Sequence, residues 1–334
     1  MSYIKPTQSR NLFYYIVIWL ISFQLGAQEK DSTNNKETSD DKKKTIEELI
    51  EDHEKLEGLF TFYRNEENGE IHMVVRKDQL DKDFIHFAQI ADGASDAMLL
   101  RGMFRDSRIF RVVKYFDRLD FVLVNTNFYF DKENPLSNSE QANISNAIAA
   151  SVKIEASDDK TGDLLIKANN LFLQETFVQI KPPKNPNAKE GAFSLGKLDD
   201  SKSKFIALKN YPENSLAKVE YVYSAPSANP SKLSNAVTDG RSVSVKVYHN
   251  LIEVPENDYE PRVDDPRVGY FLTNNDDKTS MTVTPYRDLI HRWNLKKKDP
   301  SAEVSEPVEP IVWWMENTTP IELRPIIKKG AEQW

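Results

Sequence analysis

The stretch that decides the fold is SRIFRVVKYFDRLDFVLVNTNFYFD, residues 107–131, in which aromatic and β-branched residues dominate. Two runs of such residues flank the polar sequence DRLD, and this arrangement predicts strands over 108–116 and 120–130 joined by a turn. Two later runs, AKVEYVYSA (217–225) and RSVSVKVYHNLIEVP (241–255), alternate apolar and polar residues. Such alternation is typical of strands with one buried and one wet face, so the sequence predicts an antiparallel sheet.

Further strands and two helices complete the predicted fold. Strands are also predicted over 59–64, 70–75, 82–91, 267–273, 280–286 and 289–297, and a hairpin is predicted around 159–162. One helix is predicted over 45–58, because Thr45 and Glu48 have the spacing of a capping box. A second is predicted over 135–151, with Ser137 and Glu140 in the same arrangement. The predicted fold class is therefore α+β, dominated by antiparallel sheet with a few short helices.

The composition excludes several kinds of site. The chain of 334 residues has no cysteine, which excludes disulfides, thiolate zinc sites and a Cys nucleophile. Its net charge of −8 disfavours nucleic acid as a partner. The sequence HEKLE (53–57) has Glu57 where a zinc helix needs its second histidine. Since nucleophile-elbow, Walker and dinucleotide-binding patterns are also missing, the residues by themselves predict no catalytic or cofactor-binding group.

The N-terminus is typical of an exported protein. Basic residues precede an apolar run from Leu12 to Leu25, which is short for a membrane span. We therefore expect a signal peptide over 1–27, cleaved after Ala27, with an uncleaved anchor as the alternative. The expected protein is secreted, periplasmic or on the outer surface, with no stable membrane span after cleavage. Residues 28–44 have no apolar side chain and are predicted to be a disordered linker.

A segment rich in proline and charge follows the last long strand. Pro255, Pro261 and Pro266 each lack a backbone donor, so residues 256–267 are predicted to lie extended on the surface. Two interpretations are open. The segment is a crossing loop held by Arg–Asp pairs, or it lies in the cleft of a neighbouring domain.

The same region carries a long, ordered set of motifs. Its matching residues are Leu251, Val254, Pro255, Pro261, Arg262, Asp265, Arg267, Val268, Gly269, Tyr270, Phe271, Arg292, Trp293, Leu295, Pro310, Ile311, Val312, Arg324, Pro325, Gly330 and Trp334. Together they resemble a family of secreted bacterial zinc-dependent metalloproteases with large N-terminal domains. The stretches GLFTFYRNEENGEIHMVV and NNLFLQE are similar to N-terminal regions of that family, so the resemblance covers about residues 45–334.

The resemblance implies a catalytic domain of metzincin type, in which an HExxH helix supplies zinc ligands and a general base. It implies that residues 311–315 are the first strand of that domain and 320–334 its first helix, with Pro320 near the helix start. We therefore expect this chain to be truncated before the zinc helix and inactive alone. No catalytic, cofactor-binding or metal-binding residue is carried over, and zinc is expected only in the intact family member.

The predicted organisation follows from these observations. It comprises a signal peptide (1–27), a linker (28–44), a small α+β domain (45–100), a β-rich domain (101–298), a linker (299–309) and the truncated start of a metzincin-like domain (310–334). Because the partner sheet of that last part would be missing, residues 307–334 are predicted to expose an apolar face.

The expected function is that of the non-catalytic N-terminal portion of such a protease, prodomain-like or a substrate platform. The expected partners are the missing catalytic domain of the same polypeptide, or protein and peptide substrates. Asp264 and Asp265 are candidates for a zinc-facing latch, since a carboxylate can occupy the open position of a catalytic zinc. They belong to a structural motif with Arg262, Arg267, Gly269 and Tyr270, and a plain Arg–Asp clamp is the other interpretation. The alternative function is a self-sufficient, secreted β-rich binding module with no protease activity.

Overall fold

The computed structural model describes residues 44–183, 193–226, 233–283 and 285–333. The predicted signal peptide, its cleavage site at Ala27 and all but the last residue of the predicted linker lie outside these ranges. Residues from 44 onward form one compact unit. No helix within the described ranges combines the length and the apolar character needed to span a bilayer.

The described residues are mostly antiparallel β-structure with few short helices. The strands are β1 (His53–Leu56), β2 (Thr61–Asn65), β3 (Ile71–Val75), β4 (Asp83–Asp92), β5 (Phe104–Tyr115), β6 (Arg118–Leu123), β7 (Phe128–Tyr129), β8 (Ala147–Ser157), β9 (Leu164–Lys167), β10 (Lys197–Leu198), β11 (Lys204–Asn210), β12 (Asn214–Ser224), β13 (Ser242–Glu253), β14 (Leu272–Thr273), β15 (Asp276–Asp277) and β16 (Leu289–Ile290). The helices are α1 (Ile46–Ile50), α2 (Asn169–Phe172) and α3 (Arg324–Ala331), with 3-10 turns at Lys77–Gln79, Ser95–Ala97, Pro135–Ser139 and Ile321–Leu323.

Twelve strands form one sheet. Their order is β1-β2-β3-β9-β8-β6-β5-β4-β13-β12-β10, and β11 also pairs with β12. Every pairing in this sheet is antiparallel. Strands from before and after residue 100 hydrogen-bond to each other in it, for example β4 with β5 and β3 with β9.

The two ends of the strand order meet, so the sheet curls around its inner face. The backbone N–H of Leu59, which follows β1, donates to the carbonyl of Tyr211 at 2.7 Å. The amide of Asn210 donates to the carbonyls of Leu56 and Phe60 at 2.8 and 2.7 Å. These bonds satisfy backbone groups at a point where strand pairing does not reach.

The core fills the space inside the curl. Its largest fully buried side chains are Tyr221, Tyr223, Phe60, Phe62, Phe84, Phe110, Phe121 and Phe172. Phe177 comes from the loop after α2 and packs among Phe110, Phe121 and Phe172, with ring centroids 5.3 to 6.2 Å apart. Helix α1 packs on the other face of the sheet. There Ile46 forms a separate small cluster with Val74 and Leu165.

Several local predictions are confirmed. Thr45 caps α1 and shares a reciprocal capping box with Glu48. The hairpin of β2 and β3, strand β4, the hairpin of β8 and β9, and the long strands β12 and β13 all occur where the sequence predicts them. In β12 and β13 buried and less buried residues alternate, as predicted for strands with one face in the core.

Other local predictions are wrong. The first helix ends at Ile50, and His53–Leu56 is strand β1, because these residues pair with β2 along its full length. The helix predicted over 135–151 is a 3-10 turn capped by Asn134, and not by Ser137, followed by strand β8. Strand β8 pairs with both β6 and β9, and this tertiary pairing overrides the helix propensity of its alanines. The strand predicted over 120–130 ends at Leu123.

The C-terminal strands are also shorter than predicted. Within the ranges 267–273 and 289–297, Leu272–Thr273 and Leu289–Ile290 pair as strands, and Lys297 forms an isolated bridge with Pro307. The described residues of 280–286 contain an isolated bridge at Tyr286 and no strand. Residues 311–315 form no strand, and the helix expected over 320–334 is a 3-10 turn followed by α3. The prolines that break this region leave few unbroken runs of donors for a ladder.

Candidate functional site

The C-terminal segment, residues 254–283 and 285–333, follows β13 and exposes many large apolar side chains. It is anchored where β15 pairs in parallel with β7. The backbone N–H of Asp276 donates to the carbonyl of Asn127, and that of Lys278 to the carbonyl of Tyr129, both at 2.9 Å. The Arg287 guanidinium lies over the Tyr129 ring at 3.9 Å. Beyond this anchor most residues of the segment are exposed to solvent.

Its exposed apolar residues surround a cleft of about 1020 Å³ near α3. The lining residues are Trp293, Ile311, Trp313, Trp314, Met315, Ile327, Lys328, Ala331 and Glu332. Trp313 and Trp314 are 72% and 92% exposed. An exposed patch of this kind marks an interaction surface in folded proteins. It occupies the region where the sequence predicts an exposed apolar face.

The predicted latch residues lie in this segment and point to no buried site. The Asp265 carboxylate accepts from the Arg267 Nε at 2.9 Å and from the Arg267 backbone N–H at 3.0 Å. This guanidinium lowers the pKa of Asp265 below its ordinary value. The half-buried Asp264 is held by its backbone N–H, which donates to the Asp288 carbonyl at 2.9 Å. The pair of Asp265 and Arg267 is therefore a surface clamp in this structure.

The remaining residues of the predicted motif shape the backbone around that clamp. The Arg262 carbonyl accepts from the backbone N–H of Ile290 at 2.9 Å. Gly269 faces open space, because no heavy atom lies within 4 Å of the point that a Cβ would occupy, so no close approach requires a glycine there. Tyr270 is 43% exposed. These residues belong to one surface segment, and none of them lines the cleft near α3.

The zinc implied by the resemblance finds no donor set in the described part of the chain. No group of three His, Asp or Glu side chains there has the geometry to hold a metal ion. His53 of the HEKLE stretch lies in strand β1, where it cannot present ligands as a zinc helix does. The described residues thus do not fit a catalytic zinc, and no chemical step is derived through one.

A buried polar cluster inside the curl is the most unusual feature that the sequence did not reveal. His86 Nε2 lies 3.0 Å from His249 Nδ1, and His249 Nε2 lies 3.0 Å from the Tyr221 hydroxyl. That hydroxyl also lies 2.8 and 3.0 Å from the carbonyls of Phe172 and Gln174. His86 and His249 are 0% and 2% exposed.

The carbonyls of Phe172 and Gln174 determine which nitrogens of the two histidine rings carry protons. Because a carbonyl can only accept, the Tyr221 hydroxyl donates toward them and accepts from His249 Nε2–H. His249 Nδ1 is then the acceptor for His86 Nε2–H, and His86 Nδ1 is left as a bare acceptor, in agreement with its lack of a partner among the described residues. A further proton on either ring would create a buried donor without an acceptor.

The pKa values follow from this arrangement. Burial lowers the pKa of His86 to about 3, and the nearby Arg108 charge contributes to the same shift. Burial, followed by the neighbouring His86, lowers the pKa of His249 well below its ordinary value. Burial also raises the pKa of Tyr221. The cluster is neutral and closed, so it stabilises the interior and offers no accessible base.

A half-buried carboxylate supports the same wall of the core. Glu175 Oε1 accepts from the Tyr223 hydroxyl at 2.7 Å and from the backbone N–H groups of Ile180 and Lys181 at 2.9 and 2.6 Å. Arg105 donates to the carbonyls of Gln179 and Ile180 at 3.2 Å. These bonds hold the loop that carries Phe177 into the core. The sequence did not predict the bonds of Glu175 to Tyr223 and of Arg105 to Gln179, because these partners are 48 and 74 residues apart in the chain.

Comparison with known proteins gives one match. A family model described as "Domain of unknown function (DUF5117)" matches residues 105–298. This range begins within β5 and ends after β16, inside the β-rich domain predicted over 101–298. No curated protein and no solved structure matches the chain.

Proposed function

The chain belongs to the DUF5117 family, as its match over residues 105–298 shows. We propose that it is a non-catalytic docking module for a second folded domain. In full, we propose that the chain is the N-terminal portion of a secreted zinc-dependent metalloprotease. In that protein it would act as a prodomain or as a substrate platform. The observation that carries it is the exposed aromatic cleft of the C-terminal segment. The sequence resemblance over the same residues indicates which kind of domain would dock there, a metzincin-like catalytic domain.

The cleft supports docking for an energetic reason. Burial of apolar surface contributes about 25 cal/mol for each Å² removed from water, and two exposed tryptophans supply a large share of such surface. Tryptophan is among the residues that dominate binding energy in protein interfaces. The curled sheet and its neutral histidine cluster then serve as the rigid support, while the C-terminal segment presents the contact residues.

The test uses the HExxH-containing domain of an intact relative, produced separately, as the probe. Binding to this chain is measured by calorimetry, with the double variant Trp313→Ser/Trp314→Ser as the perturbation. We expect at least a tenfold loss of affinity with an unchanged unfolding midpoint, because both side chains are exposed. The matched control is Phe116→Ser, which removes an 80% exposed aromatic residue at the turn between β5 and β6.

A second test of the proposal comes from the coding DNA after codon 334. The proposal expects an HExxH sequence there in one of the three frames. Absence of that sequence in all frames, together with no binding of the separate domain, contradicts the protease assignment. It then favours the alternative, a self-sufficient secreted β-rich binding module, for which the same exposed cleft would hold an unrelated partner.

A further inference from the structure

The first half of β5 has a bare edge in the middle of the sheet. Residues 104–111 pair with β4 on one side, but pairing with β6 on the other side begins only at Phe110. Val124, just after β6, donates to the Ile109 carbonyl at 2.9 Å. The reciprocal bond from Ile109 N–H is missing among the described residues, so β5 and the segment after β6 separate at this point.

Ser107 lies on the bare side. Backbone groups of a strand point alternately to its two neighbours, so Ser107 turns its N–H and C=O to the same side as Ile109. Its N–H bonds only the Asp106 carboxylate at 2.9 Å. Within the described ranges its C=O has no hydrogen-bond partner. The free groups along this edge are therefore one acceptor, the Ser107 C=O, and one donor, the Ile109 N–H, whereas the Ser107 N–H is occupied by the Asp106 carboxylate.

A groove of about 500 Å³ runs along this edge. One wall is β5 over residues 106–109, and the opposite wall includes Asn125, Thr126 and Ser145. Most of these wall residues are polar, and the one charge of each sign, Asp106 and Arg108, is paired. The four residues of the β5 wall span about 13 Å at the rise of a strand. The groove thus has the length, polarity and exposed backbone of a slot for one more strand.

We propose that this groove binds an extended, polar peptide segment of another polypeptide by adding it as a strand to β5. Main-chain hydrogen bonds to Ser107 and Ile109 supply the affinity, as in other cases of strand addition. The same part of the protein already accepts an extended segment, because Asp276 and Lys278 donate to backbone carbonyls of residues 127 and 129. A second copy of this chain does not fit, since the bare edge is recessed between two walls and is not at the rim of the sheet.

The inference goes beyond the proposed docking role and needs no second domain, so its failure would leave that role standing. The probe is a random heptapeptide library displayed on phage and selected on the full chain. Peptides are then synthesised and their affinities measured by fluorescence polarisation. We expect binders whose affinity falls at least tenfold in Ser107→Pro, because the proline ring replaces the N–H on the groove side and projects into the space of the added strand. Ser107→Ala, which keeps the backbone, should bind as the unchanged protein does.

A second measurement protects the test against misfolding of the proline variant. On the unchanged protein, N-methylation of alternate peptide residues should abolish binding, and methylation of the residues between them should leave it intact. Hydrogen exchange at Ser107 and Ile109 should slow on peptide addition. Selection without enrichment, or binders indifferent to Ser107→Pro and to N-methylation, would overturn the proposal. Protection that grows with protein concentration in the absence of peptide would overturn it too, because the edge would then serve self-association.

Discussion

The neutral histidine cluster makes stability depend on pH in a window where few other groups titrate. An unfolded histidine has a pKa of about 6.5, whereas in the folded protein that of His86 is lowered to about 3 and that of His249 is lowered well below its ordinary value by burial. Below pH 6.5 the unfolded chain therefore binds protons that the folded chain refuses. Stability is complete above pH 6.5 and is lost as the pH falls toward 3.

The size of this loss of stability follows from the pKa of the two histidines in the unfolded chain. At pH 5.0 the medium is about 1.5 units below the unfolded pKa, and each unit corresponds to about 1.4 kcal/mol. Each histidine thus costs about 2 kcal/mol, and the pair about 4 kcal/mol, relative to pH 7.5. This is a large part of the roughly 5–15 kcal/mol that is ordinary for a folded protein. His72 adds to the loss, because burial lowers its pKa too.

The assay is urea unfolding followed by tryptophan fluorescence at half-unit steps from pH 7.5 to 5.0. The free energy of unfolding should fall by about 4 kcal/mol, with a limiting slope near two protons. His249→Gln should lower stability at pH 7.5 and reduce the slope by about half. The matched control is Asn250→Gln, at the half-buried position next to His249 in β13, which removes no titratable group and should leave the slope unchanged. A flat profile, or an undiminished slope in His249→Gln, would refute the assigned protonation states.

Two further substitutions test the interior. Tyr221→Phe should lower the free energy of unfolding by about 1–3 kcal/mol, because it leaves the His249 Nε2–H without an acceptor. The control in the same chemical unfolding experiment is Tyr248→Phe, at a half-buried position on the less buried face of β13. Phe177→Ala should cost about 3–5 kcal/mol, because this 3% exposed ring packs against four other rings of the core. Phe116→Ala, at an exposed turn, should change the melting temperature little, and an equal loss in both phenylalanine variants would contradict the role given to Phe177.

Local signals predicted a good part of this fold. The capping box at Thr45 needs only residues three apart, and the alternation in β12 and β13 reports burial directly. The first part of β8, residues 147–151, was predicted wrongly, because its alanines favour a helix until β6 pairs with it. Propensity is a weak prior, and such pairing is a property of the whole sheet.

The interior cluster was beyond sequence reasoning for a related cause. His86 and His249 are 163 residues apart, and they meet because β4 and β13 pair in one particular register. A shift of that register by one residue would turn either side chain to the opposite face. The C-terminal motif was located from sequence, yet the exposure of its aromatic residues depends on what surrounds them. The bare edge of β5 likewise arises where two strands diverge, which no residue pattern marks.

The closure of the curled sheet has a consequence for the order of folding. Asn210 and Leu56 are 154 residues apart, and Ser215 and Phe60 are 155 apart, yet each pair is joined at the seam. Contacts so distant along the chain require most of the sequence to be gathered before they form, and topologies rich in them fold slowly. During synthesis, the strands made first must therefore wait until residues 210–215 have been made. A polypeptide that cannot finish its fold until then remains open for longer.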